Sequence, residues 1–155
     1  MQIYDGKCGP LTETVGFLLK PYEGKGYHLY QDSYYSSVHQ MNELLQKLIR
    51  VCGTIRVNRR LPKDMIEEAK KLKKGEVTFH RNQEILLISH EDKRLVNMIS
   101  TLHTAEVIET TSRRTGVAKK KTKCITDYNT HMHGVDTADQ YLAYYPFICK
   151  SVKWP

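Results

Sequence analysis

From residue 1 to residue 57 the chain alternates between two kinds of pattern, and that alternation constrains its fold more than any other feature. Met1 to Tyr4 is a short strand-like opening that ends at the turn pair Asp5-Gly6. Thr12 or Thr14 then caps a stretch with Val15, Leu18, Leu19 and Tyr22 at helical spacing, closed by Pro21 and Gly24. His28 to Asp32 follows a Gly-Lys-Gly turn and reads as a strand whose last residue is a carboxylate. Ser37-x-x-Gln40 is a capping-box pattern, after which Val38, Met41, Leu45 and Leu48 form one apolar stripe along a helix of about three turns. Val51 to Val57 is a further strand, broken by Asn58-Arg-Arg-Leu-Pro62. The order strand, helix, strand, helix, strand implies α/β architecture with parallel pairing.

Beyond Pro62 the pattern changes. Pro62 opens an amphipathic helix through Met65, Ala69 and Leu72, with Gly75 expected in the favoured position just past its end. Glu76 to His80, Glu84 to Ser89, Leu95 to Ser100 and Glu106 to Thr110 are short β-rich stretches, two of them joined by the turn Glu91-Asp-Lys-Arg. They read as antiparallel hairpins of an inserted subdomain. After a basic loop, Ile125, Tyr128, Met132, Val135, Asp139 and Leu142 fall on helical spacing, with Gly134 weakening the pattern at one point. The expected organisation is therefore an α/β part over 1–62, an insertion with the basic loop over 63–124, and a returning helix with a C-terminal segment over 125–155.

Charge narrows the function classes. The 24 Lys plus Arg against 17 Asp plus Glu give 24 − 17 = +7, with a pI near 9.2. Residues 1–50 balance at 5 − 5 = 0, residues 51–125 carry 17 − 9 = +8, and residues 126–155 carry 2 − 3 = −1. The excess lies at Arg56, Arg59 and Arg60, at the lysines 70, 71, 73 and 74, and in the run from Arg113 to Lys123. Clustering of this kind favours a polyanionic partner, although the lysines at 70–74 follow Glu67 and Glu68 and read first as a solvated helix face.

No run approaches the roughly 18 consecutive apolar residues of a membrane span. Met1 to Gly6 lacks the features of a secretory signal. Cysteines at 8, 52, 124 and 149 form neither a C-x-x-C knuckle nor a dense disulfide framework, so a reducing compartment is expected and Cys52 reads as a small buried apolar residue. His131 and His133, two apart on a helix, point to different sides and read as surface histidines rather than a metal pair. Tyr27, Tyr30, Tyr34 and Tyr35 could stack on bases, but read first as packing.

Asp32 at a strand end and Asp136 on a helix 104 positions later can bring oxygen ligands to one divalent cation, since carboxylates suit a hard, octahedral ion such as Mg²⁺. The commoner role of a lone Asp at a strand end is a turn or a cap.

Three strings decide the context: Gly26-Tyr-His-Leu-Tyr-Gln-Asp32-Ser-Tyr-Tyr-Ser36, Cys52-Gly-Thr-Ile-Arg-Val-Asn-Arg-Arg-Leu-Pro62, and Asp127-Tyr-Asn-Thr-His-Met-His-Gly-Val-Asp136-Thr-Ala-Asp-Gln140. Together, in this order and extending to Lys153-Trp-Pro155, they resemble the catalytic domain of piggyBac-family transposases. The resemblance implies a ribonuclease-H-like α/β mixed sheet with a β-rich insertion before the last helix. It also implies metal-dependent DNA cutting and strand transfer by three aspartates and two Mg²⁺ or Mn²⁺ ions, DNA as partner, a homodimer, and a nuclear location. Asp32 matches the second aspartate, Asp136 the third and Asp139 a further acidic position, making these three the expected metal ligands. Arg56, Arg59 and Arg60 match a basic string suited to DNA phosphates, and Lys119, Lys120 and Lys121 in the basic loop are further nucleic-acid candidates.

The family's first aspartate lies on a strand before the one that Met1 to Tyr4 resembles, and Asp5, in a turn context, does not replace it. The expectation is a domain cut at both ends, with impaired catalysis and open strand edges beside the opening strand and Tyr27 to Asp32. Two rivals remain: a non-catalytic DNA-binding or protein-interaction module, and a gene fragment without independent function.

Overall fold

The computed structural model describes residues 11–111, 116 and 118–144. The expected opening strand, Asp5, Cys8, Cys149, the Arg113 end of the basic run and Lys153 to Pro155 lie outside the described residues. The chain runs α1 (Leu11–Leu19), a 3₁₀ turn (Lys20–Tyr22), β1 (His28–Gln31), α2 (Val38–Gln46), β2 (Arg50–Thr54), α3 (Lys63–Lys71), β3 (Val77–Asn82), β4 (Ile85–Glu91), β5 (Leu95–Ser100), β6 (Val107–Thr111), β7 (Ala118–Thr122) and α4 (Lys123–Tyr144).

Five strands form one mixed sheet in the order β1-β2-β5-β4-β3. β1 and β2 are parallel, with His28 opposite Arg50 and Gln31 opposite Gly53, as the strand–helix–strand alternation predicts. The other three neighbours are antiparallel. The β-rich stretches after Pro62 do pair as hairpins, but β3, β4 and β5 do not stand apart from the first part of the chain: β5 pairs with β2, Cys52 opposite Ser100, and continues its sheet. β6 and β7 form a separate two-stranded ribbon. Residues 118–122, expected in a loop, are thus a strand, with Lys120 opposite Glu109 and Lys121 opposite Ile108.

Side chains alternate faces along a strand, and here both faces are buried. Val51, Ile85, Leu87 and Ile99 face α2 and α3, where they pack with Met41, Leu44, Ile49 and Met65. Their neighbours Cys52, Leu86, Ile88 and Met98 face the other way and pack with Cys124, Ile125 and Tyr128 of α4. The result is three layers, helix on sheet on helix. β4 is accordingly apolar without a break from Ile85 to Ile88 and stays buried through Ser89 and His90.

Local chemistry sets the ends of these elements. Ser37, in extended conformation, caps α2 by accepting a hydrogen bond from the Gln40 N–H at 3.2 Å. The expected reciprocal half of the capping box is replaced: the Gln40 side chain accepts instead from Gln31 Nε2, at 3.3 Å, inside the core. Leu48 leaves the predicted stripe because α2 ends before it. Its backbone turns left-handed, φ +58°, and its side chain is exposed, while Leu44 and Ile49 take the buried positions. α3 ends at Lys71 with Leu72 extended, so Gly75, at φ +90°, turns the chain into β3 rather than capping the helix.

Candidate active site

Asp32 is the first residue past β1, and a tight turn holds it there. Its carbonyl accepts from the Tyr35 N–H at 3.1 Å and the Ser36 hydroxyl at 3.2 Å. Its carboxylate accepts from the Tyr34 N–H and from Thr54 Oγ1 of β2, each at 3.4 Å. Burial, the largest single influence, pushes the Asp32 carboxyl up. Hydrogen bonds from the backbone of Ser33 and Tyr34 and from the Thr54 and Ser33 hydroxyls outweigh it and hold the group below the usual carboxylate range. Asp32 is therefore ionised at neutral pH.

The parallel pairing of β1 and β2 brings this turn beneath α4. Asp32, Asp136 and Asp139 line one cleft of about 480 Å³, together with Tyr128, Asn129, Met132, His133 and Val135. Sequence reasoning named the three carboxylates and the structure brings them to one place. It took Tyr128 only as part of the helical pattern and His133 only as a surface histidine, and passed over Asn129. Their signal was helical phase, since positions three, seven and eight before Asp136 share its face. Tyr128 reports the convergence: burial raises its pKa most, a Thr54 hydrogen bond lowers it, and the charges of Asp32, Cys52 and Asp136 raise it again. His131, exposed as expected, stacks on Tyr30 with ring centroids 4.0 Å apart and donates from Nδ1 to the Asp127 carbonyl.

The basic candidates divide. Arg56 Nε donates to Ser33 Oγ at 3.3 Å and Arg59 Nη2 to the Tyr34 carbonyl at 2.9 Å, so both lie against the turn that carries Asp32. Arg60 is exposed nearby in sequence, with a left-handed backbone at φ +58°. Lys119, Lys120 and Lys121 belong to β7, and neither Lys120 nor Lys121 lines the cleft.

A second cluster escaped sequence reasoning altogether. Cys52 of β2, Cys124 of α4 and His103, just past β5, bring their ligand atoms to within 4.8 Å of one another, and all three residues are buried. Cys52 is thus buried as expected, but among polar partners rather than apolar neighbours alone. A hydrogen bond with Cys52 and contacts to His103 hold the Cys124 thiol low, while the same pairing pushes Cys52 up.

The model of the Transposase IS4 family matches residues 4–155. The chain belongs to this DDE transposase family. PiggyBac transposable element-derived protein 2 of Homo sapiens is 31% identical over 137 residues, covering 83% of this chain and 23% of that protein. The fold matches the cryo-EM structure of a piggyBac transposase synaptic complex with hairpin DNA at a TM-score of 0.69, with 23% identity, over 90% of this chain and 29% of that one. The transposase-derived domain thus has the mixed α/β fold of a piggyBac transposase core and spans about a quarter of its curated relative. The family implies dependence on divalent metal. The cleft offers the hard oxygens such an ion takes, and Asp32 is held in its anionic form, but among the described residues the three carboxylates are not drawn together into a ready-made ligand set.

Proposed function

We propose that this domain is the ribonuclease-H-like metal- and DNA-binding part of a piggyBac-type DNA-cutting and strand-transfer core. One observation carries the reading: Asp32, Asp136 and Asp139, 107 positions apart at the extremes, line a single cleft in a transposase-family fold. Asp32 and Asp136 are the proposed catalytic carboxylates, and all three would hold Mg²⁺ or Mn²⁺. In phosphoryl transfer a bound divalent ion activates the attacking oxygen and neutralises charge on the leaving one. Thr54 and the Tyr34 N–H orient the Asp32 carboxylate, and Tyr128, whose hydroxyl is kept protonated, offers a donor in the same cleft. Arg56 and Arg59, on the turn beside Asp32, would take DNA phosphates. DNA as partner is supported further by the hairpin DNA in the structural relative's synaptic complex. Action on DNA as a pair of copies in the nucleus belongs to the same proposal and rests on family resemblance.

Calorimetric titration with Mn²⁺ tests it. Binding is expected in the wild-type chain and is expected to disappear in Asp32→Ala and in Asp136→Ala. No heat at millimolar metal, or heat unchanged in both variants, would reject the metal site; duplex binding that persisted without it would leave the non-catalytic DNA-binding module.

A further inference from the structure

Cys52, His103 and Cys124 come from three separate elements. Cys52 lies mid-way along β2, His103 follows β5, and Cys124 is in the first turn of α4. Their side chains meet between the sheet and α4, against Leu86, Ile88 and Met98. Both cysteines are 0% exposed and His103 is 6% exposed. The sulfurs are 3.5 Å apart. Two thiolates on one tetrahedral Zn²⁺, each at about 2.3 Å, stand about 3.8 Å apart, whereas a disulfide requires about 2.0 Å. The observed spacing is close to the first and far from the second.

His103 is arranged as a metal-bound histidine would be. Its Nε2 lies 3.0 Å from Asp127 Oδ2, the carboxylate partner that orients a ligating imidazole and fixes its tautomer. With the proton on Nε2, the Nδ1 lone pair faces Ser100 Oγ at 2.8 Å. That hydroxyl also accepts from the N–H groups of Leu102 and His103, at 3.1 and 3.2 Å, so Ser100 is fixed at the edge of the cluster.

We propose that Cys52, His103 and Cys124 form a structural zinc site that clamps α4 onto the sheet. Zn²⁺ replaces the two thiol protons, which leave to solvent: two S–H bonds break, two Zn–S bonds form, and His103 Nδ1 exchanges its hydrogen bond from Ser100 for the metal, leaving the Ser100 oxygen beside it as the fourth ligand. Two thiolates and one Zn²⁺ sum to zero charge, which suits a cluster walled by Leu, Ile and Met. Thiolate and imidazole ligands select zinc over the hard ions suited to the Asp32 cleft, so the two sites differ in metal. The site's consequence is positional. Thr54, two residues after Cys52, bonds Asp32, and α4 carries Asp136, so the clamp ties together the elements that form the cleft.

The test uses the full chain purified under reducing conditions without chelator. About one equivalent of zinc per chain is expected, and Co²⁺ exchange is expected to give thiolate-to-cobalt charge-transfer bands. Those bands persist in Cys8→Ser/Cys149→Ser and in Asp32→Ala, and are lost in Cys52→Ser and in Cys124→Ser. Asp127→Asn, which leaves every ligand in place, lowers Co²⁺ affinity about 10- to 100-fold. That variant and the wild type decide the matter even where the cysteine variants do not fold. Cobalt binding without charge-transfer bands, bands lost with Cys8 and Cys149, unchanged affinity in Asp127→Asn, or a Cys52–Cys124 disulfide as the resting state by mass spectrometry would each overturn the zinc site.

Discussion

Gly53 shows how little room the site allows. It lies opposite Gln31 across the parallel pair, and a Cβ built there would stand 2.5 Å from the Gln31 carbonyl oxygen and 2.9 Å from Ser36 Oγ. The first of these is backbone and cannot rotate away. Ser36 in turn bonds the Asp32 carbonyl, so a methyl group at 53 pushes on both sides of the turn that presents the carboxylate. Gly53→Ala is expected to cost about 1–3 kcal/mol in urea unfolding, the range for overpacking a filled core, and to weaken Mn²⁺ binding with Asp32 itself unchanged. A midpoint equal to wild type would show that β1 and β2 can separate freely. The legibility of the site divides along the same line. Asp32 was placeable at a strand end and Asp136 on a periodic helix, but only the resemblance to piggyBac-family transposases joined them in one site. The need for glycine at 53 and the Cys52–His103–Cys124 cluster were not legible, because each depends on which strands lie side by side, and no spacing along the chain encodes the pairing of β2 with β5.

At the scale of elements, α2 is stabilised from both ends of its sequence pattern. Its apolar stripe buries Met41 and Leu44 against β2, and Ser37 satisfies one of the orphan N–H groups at its start. Removing that oxygen in Ser37→Ala is expected to lower stability by about 1 kcal/mol. Gln40→Ala acts differently, because its amide serves the buried pair with Gln31 rather than the cap. Double-mutant cycles read this distinction: Ser37→Ala and Gln40→Ala should be nearly additive, whereas Gln31→Ala and Gln40→Ala should not. Strong coupling between Ser37 and Gln40 side chains would restore the full capping box that the sequence implied. The helix was legible from its period and its cap residue. The exchange of partners by Gln40 was not, since Gln31 lies on a different element.

Across the whole molecule, the +8 of residues 51–125 is spread over three clusters, of which the arginines and the ribbon differ in electrostatic standing. Among the described residues, Arg56 and Arg59 bond only neutral groups, the Ser33 hydroxyl and the Tyr34 carbonyl, which leaves their charge to attract phosphate beside the acidic cleft. On the β6–β7 ribbon Lys120 faces Glu109, and Lys123, the next residue after β7, pairs with Glu106 at 3.3 Å, so part of the ribbon's charge is already answered within the chain. DNA engaged at the cleft therefore draws its counterion release chiefly from the arginines. Each phosphate contact contributes about 0.9 to the slope of log affinity against log salt for duplex DNA. Arg56→Gln/Arg59→Gln is thus expected to reduce that slope by about 2, uniformly across sequences. Replacing Lys119, Lys120 and Lys121 by Gln removes three formal charges yet is expected to change it less. The reverse ranking would move the duplex off the Asp32 face and onto the ribbon, and would leave the arginines with the neighbouring turn as their only partner.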